Sequence, residues 1–157
     1  MHPRVAEALE RAGVPYRLYR HADFPGPISS PADFAQALGY APERITRSLF
    51  IRCQHSGEYG LLVGPSTRRA NLRRVAQHMG CRRVQLVEPA VLLAILGYPP
   101  GGVSPLGAGL IPIFIDEGLL DFATVLIGAG EAGVEIEIAP ADLKRITGAT
   151  ALDIGDR

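Results

Sequence analysis

Eleven residues, Gly97-Tyr98-Pro99-Pro100-Gly101-Gly102-Val103-Ser104-Pro105-Leu106-Gly107, constrain this chain more than any other stretch. Four glycines and three prolines within them rule out a helix interior or a central strand. The flanks are ordered in character: Glu88 to Leu96 is an apolar helical run, and Ile111 to Ile115 is a strand run. Proline fixes φ and glycine permits φ > 0, so the mixture describes a loop held in one shape. Glycines also leave backbone N–H groups open to a ligand, the arrangement that binds an anion or a developing oxyanion. A tight structural connection between helix and strand has the same composition.

The remaining chain reads as one α/β domain over residues 1–157. Val5, Leu9 and Ala12 form a helix face ended by Gly13, and Val14 to His21 alternates as a first strand with Tyr16 and Leu18 on one face. Ser30-Pro31 caps a helix running to Leu38. Thr46 to Cys53 and Tyr59 to Val63 predict an antiparallel hairpin, and Asn71 caps a helix with Leu72, Val75, Ala76 and Met79 inward. A short strand follows at Arg83 to Leu86. After the loop come the Ile111–Ile115 strand, with Pro112 suggesting an edge start, and a hairpin of Phe122–Ile127 with Val134–Ile138. A helix from Pro140 and an edge strand at Ala151–Ile154 complete the order. Strands and short helices mix without a βαβ rhythm, which predicts a mixed, mostly antiparallel sheet flanked by short helices.

No apolar run reaches membrane-spanning length and the start carries no signal-peptide pattern, so a cytoplasmic protein without membrane association is expected. Cys53 and Cys81 have neither motif spacing nor partners, and a reducing cytoplasm is the expectation. Four scattered histidines give no ligand pair, so neither metal nor cofactor is expected. Net charge is zero, yet Arg68, Arg69, Arg73, Arg74, Arg82 and Arg83 cluster without an acidic residue from position 68 to 83. Such a cluster either follows a phosphate backbone or is the solvated face of a helix.

The loop resembles the glycine-rich element of the YbaK/ProX-type (YbaK/EbsC) trans-editing family, whose G-x-x-x-P pattern stands here as Gly101-Gly102-Val103-Ser104-Pro105. Tyr19-Arg20-His21, the Asp116–Ile127 segment and Gly133-Val134-Glu135-Ile136 before the last helix extend the resemblance over nearly the whole chain. It implies a partly barrel-like editing fold and hydrolysis of mischarged aminoacyl-tRNA, chiefly tRNA for proline carrying cysteine or alanine. It implies an oxyanion loop of Gly101, Gly102, Ser104 and Pro105, with water activated largely by a ribose hydroxyl of the tRNA. Tyr19, Glu135 and Gly107 are implied to bind substrate. Arg68, Arg69, Arg73 and Arg74 are candidates for tRNA contact, and prolyl-tRNA synthetase is a candidate partner of a monomer or homodimer. His21 is given no catalytic role, and Asp116 reads as a turn former.

The family places a lysine where this chain has Arg47, in Ile45-Thr46-Arg47-Ser48-Leu49. Guanidinium stays protonated, so Arg47 can replace that lysine as a fixed charge but not as a base; the alternative is an exposed strand arginine in a member that binds without cleaving. Glu135 stands for a family aspartate and could pair with Arg47 or simply face outward. The rivals to a deacylase are a binding module for aminoacyl-tRNA ends or a synthetase, and a hydrolase of other small acyl esters.

Overall fold

The computed structural model describes residues 1–155. Five α-helices are set by their caps: α1 (Pro3–Ala12), α2 (Pro31–Leu38), α3 (Leu72–Met79), α4 (Pro89–Leu96) and α5 (Pro140–Thr147). Side chains of Ser30 and Asn71 accept the N–H of Asp33 and Arg74 at the starts of α2 and α3, as their residue types predict. The strands are β1 (Arg17–Arg20), β2 (Thr46–Cys53), β3 (Tyr59–Pro65), β4 (Val84–Leu86), β5 (Ile113–Asp116), β6 (Val125–Gly128), β7 (Val134–Ile138) and β8 (Thr150–Leu152).

These strands form two sheets, β1-β7-β6 and β4-β2-β3-β5-β8. Pairing is antiparallel except where β5 joins β3 and β8. The sheets do not close into a barrel, which corrects the barrel-like part of the expectation. They meet at one parallel bridge, Ile45 with Leu126. There the Leu126 carbonyl accepts the Thr46 hydroxyl at 2.7 Å, so a side chain takes the group a longer ladder would need.

Three further expectations are corrected. β5 is not an edge strand: it lies between β3 and β8, and Pro112 sits just before it, contributing only its carbonyl to the Leu61 N–H. Residues 117–121 of the Asp116–Ile127 segment form a 3-10 turn, so β6 begins at Val125 rather than Phe122. Cys53 and Cys81 form a disulfide. They are 28 residues apart in sequence, but the end of β2 and the residue after the Gly80 cap of α3 bring their Cα atoms to 6.0 Å.

The main core lies between the two sheets and under α1 and α4, with Tyr98, Leu61, Ile115, Val125 and Ile136 buried. A second core packs α3 on the opposite face of the five-stranded sheet, through Ile51, Leu62 and Val75. A third holds α2 to the smaller sheet through Phe34 and Leu126, with Tyr19 packed beside it. Both faces of β1 are therefore covered: Leu18 faces the main core and Tyr19 the third, while Tyr16 is left exposed.

Candidate active site

The glycine-rich loop is shaped by its own turn. Pro99-Pro100-Gly101-Gly102 closes with the Gly102 N–H donating to the Pro99 carbonyl at 3.0 Å, and Gly101 stands at φ 78°. Proline at the second position and a positive-φ glycine at the third are what a type II turn requires. The loop then presses on the β6–β7 hairpin. A Cβ on Gly102 would come within 2.6 Å of the Glu131 backbone, and one on Gly128 would collide with the Val103 carbonyl. Only glycine permits these two approaches.

Between this loop and β2 lies a cleft of about 450 Å³. Its walls include Gly101 and Val103 of the loop, Gly128 and its register partner Glu135 on β6 and β7, and Arg47 and Ser48 of β2. His21, Ser29 and Ser30 complete the rim near the start of α2. Among the described residues, the N–H groups of Gly101 and Val103 donate to no protein acceptor, whereas that of Gly102 is used in the turn. Two lining residues of the cleft thus keep backbone donors uncommitted to the protein.

The same cleft holds a paired acid, beside Gly128 in the β6–β7 register. Nε2 of His21 lies 2.6 Å from Oε2 of Glu135, and the imidazole packs on Phe34 with ring centroids 4.8 Å apart. Burial pushes the Glu135 carboxyl up, and the His21 hydrogen bond and charge only partly oppose it. Glu135 therefore pairs with His21, not Arg47. Arg47 is exposed and has no ion-pair or hydrogen-bond partner among the described residues, and across the hairpin it faces Gly64, which has no side chain. The Ser48 hydroxyl, in the same wall, is buried and unpartnered.

The other sequence candidates lie elsewhere. Ser104 is fully buried behind the turn, where its hydroxyl accepts the Leu106 N–H at 3.2 Å, and Pro105 is buried beside it. Gly107 packs against Tyr98 and Arg4, away from the cleft. Tyr19 stands behind the wall, donating to Glu137 at 3.0 Å in a network with Tyr40, Thr124 and Arg44. Burial pushes the Glu137 carboxyl up, but its bonds from Thr124, Tyr40 and Tyr19 and the Arg44 charge bring the balance below the ordinary value.

The arginine cluster divides. Arg68 and Arg69 line a groove that shares Arg47 and Leu49 with the cleft. Arg73 lines a separate depression with Arg82 and Arg83, and Arg74 is held by Asp153 at 2.8 Å.

The family model of the aminoacyl-tRNA editing domain matches residues 25–146. The chain belongs to that family. Its similarity extends to an Enterococcus faecalis protein that carries the provisional name Cys-tRNA(Pro)/Cys-tRNA(Cys) deacylase EbsC, at 27% identity over 140 residues, covering 88% of this chain and 84% of that protein. The proline--tRNA ligase of Thermosipho melanesiensis is 26% identical over 101 residues, 64% of this chain but 18% of the ligase. A solved structure described provisionally as a trans-editing enzyme for prolyl tRNA synthetase superposes with TM-score 0.86 at 25% identity, covering 100% of this chain and 99% of that one.

For this editing domain, the sequence left His21, Ser48 and Val103 of the cleft without a role, Val103 being only a variable position of the G-x-x-x-P pattern. His21 is two positions beyond Tyr19 at the end of β1, where its N–H extends the ladder to the Gly133 carbonyl. That register places it beside β7, a juxtaposition no local pattern reports. Ser48 lies between Arg47 and Leu49 on an alternating strand, and only the packing of β2 against β6 shows its hydroxyl to be enclosed.

Proposed function

We propose that this editing domain hydrolyses the ester of mischarged aminoacyl-tRNA, with tRNA for proline carrying cysteine or alanine as the substrate class. The reading rests on one observation: a single cleft lined by Gly101 and Val103, whose backbone N–H groups have no protein acceptor among the described residues, together with Arg47 and Glu135. The similarity to an EbsC-type deacylase and to proline--tRNA ligases supports the substrate class and an association with prolyl-tRNA synthetase. Charged tRNA would be met in the cytoplasm.

In this reaction water adds to the ester carbonyl carbon, and the carbonyl oxygen becomes an oxyanion. Donors fixed before the reaction stabilise that charge without reorganising, and we assign this to the Gly101 and Val103 N–H groups. The neighbouring ribose hydroxyl takes the proton of the attacking water and passes a proton to the departing ribose oxygen as the C–O bond breaks. Free amino acid and uncharged tRNA result. Arg47 supplies permanent positive charge beside the developing oxyanion and the nearest phosphate. Glu135, held by His21, receives the α-ammonium of the aminoacyl group. Gly102, Ser104 and Pro105 support the turn, and Tyr19 supports the wall through Glu137.

Arg47→Ala tests the assignment: deacylation falls by roughly 10²-fold with the circular dichroism spectrum unchanged, as for loss of one charge-stabilising group. Normal turnover by that variant contradicts it. A second reading is favoured by Arg47 itself, which stands where the family has lysine: a module that binds charged ends without cleaving them. Salt-dependent tRNA binding with no hydrolysis of any charged form would select that reading.

A further inference from the structure

Arg47 belongs to two concavities. Besides the cleft, it lines a shallow groove with Leu49, Gly64, Pro65, Arg68 and Arg69 on the α3 side of the five-stranded sheet. The groove follows from β-strand alternation. Arg47, Leu49 and Ile51 project to one face of β2, and their partners Gly64, Leu62 and Gly60 lie opposite on β3. Gly64 adds no side chain between Arg47 and the turn after β3, where Arg68 and Arg69 stand.

Its far wall is Ile154 and Gly155, joined to Ala70 by an isolated antiparallel bridge. Arg68 lies across Gly155, where a Cβ would approach its Cδ to 3.2 Å. No acidic residue lines this groove among the described residues. Beyond Arg68 the surface changes sign, because the next depression is lined by Asp116, Glu117, Asp121 and Asp153. The basic groove therefore has an open end at the cleft and an acidic boundary at the other.

We propose that this groove is a phosphodiester-binding subsite that guides the single-stranded 3′ end of an RNA into the cleft. Arg47 takes the phosphate nearest the terminal nucleoside, and Arg69, with Arg68 at the acidic boundary, takes the one before it. This inference rests on the proposed deacylase reading, since it places the charged terminal nucleoside in the cleft. It separates arginines that sequence alone groups together. Arg74 is engaged by Asp153, and Arg73, Arg82 and Arg83 surround another depression that shares no residue with the cleft.

The test compares Arg69→Ala with Arg82→Ala, which removes the same charge from the other depression. Two substrates are used: full aminoacyl-tRNA, and the same amino acid esterified to adenosine, which carries no phosphate. Removing one phosphate contact lowers the salt slope of RNA binding by about 0.7 and weakens binding several-fold at moderate salt. The expected result is a KM several-fold higher for Arg69→Ala on aminoacyl-tRNA, a smaller change on the adenosine ester, and a smaller change for Arg82→Ala on tRNA. Equal losses on both substrates, no loss on tRNA, or an equal loss for Arg82→Ala overturns the groove. If no charged tRNA is cleaved, the deacylase reading fails, and the groove is tested by binding of an uncharged single-stranded RNA with the tRNA 3′ sequence. There a reduced salt slope for Arg69→Ala supports the subsite, and an unchanged slope overturns it.

Discussion

His21, in the 3-10 turn that follows β1, and Glu135, on β7, share a 2.6 Å contact in the lining of the cleft. The carboxylate is largely buried, and burial outweighs the histidine in setting its proton affinity above the ordinary value of 4.5. A raised folded-state pKa means the folded protein holds this proton more tightly than the unfolded chain. Stability from that proton is fully present below about pH 4.5 and is lost as pH rises through the shifted value. The charged acid is thus kept at a cost to the fold, as is common for groups retained for function.

Glu135→Gln is therefore expected to match the parent in Tm near pH 4 and to equal or exceed it at pH 8. In the same series its deacylation should be low and should lack the rise that Glu135 ionisation gives the parent. Thermal melts and initial rates across pH check both. A variant less stable than the parent at pH 8 would show the carboxylate to be structural.

Glu137, two residues along β7, behaves oppositely. Its bonds from Thr124, Tyr40 and Tyr19 and the Arg44 charge more than offset burial, so its pKa lies below the ordinary value. Stability from this group is present above that ordinary value and is lost as pH falls through the lowered one. Glu137→Gln should cost about 1–3 kcal/mol at neutral pH by leaving its donors imperfectly satisfied. Denaturant titration at pH 7 and pH 3 should show the difference shrinking in acid.

Gly128→Ala places a methyl group against the Val103 carbonyl. The loop must move off β6, which should cost roughly 1–3 kcal/mol through overpacking. Moving the loop also misplaces the Gly101 and Val103 donors, so deacylation should fall by about tenfold or more. Unchanged activity in a folded variant would mean the loop does not position those donors.

The Cys53–Cys81 disulfide ties the end of β2 to the residues after α3. Closing a loop of that length constrains the unfolded chain by about 3–4 kcal/mol. Cys53→Ser with Cys81→Ser should lower stability by up to that amount, and the denatured, unreduced parent should show no titratable thiol. Two reactive thiols would contradict the bond.

Much of the fold was legible in the chain because its signals are local. Gly13, Ser30-Pro31 and Asn71 mark α1, α2 and α3 through capping chemistry, and the alternation around Thr46–Cys53 marks the central hairpin. The turn around Gly101 was legible for the same reason. What escaped depends on contacts between distant segments. The disulfide needs the hairpin and α3 to converge, and the burial of β5 despite Pro112 needs β8 to return beside it. Within the site, Arg47 and Glu135 fall together in the cleft, while Glu135 takes neither of its two sequence alternatives, Arg47 or an outward face, and pairs with His21 because register, not sequence spacing, sets neighbours across β1 and β7. Tyr19 is placed at the site by the family resemblance alone, whereas α2 covers that face of β1 and its hydroxyl goes to Glu137.

Hydrolysis of cysteinyl- and alanyl-tRNA for proline, with prolyl-tRNA as control and Arg47→Lys alongside, tests the central claim most directly. The account predicts that the natural protein releases cysteine or alanine from one mischarged form, spares prolyl-tRNA, and retains activity when lysine replaces arginine. Failure of both proteins to cleave either mischarged form, at concentrations where they bind the RNA, would contradict it.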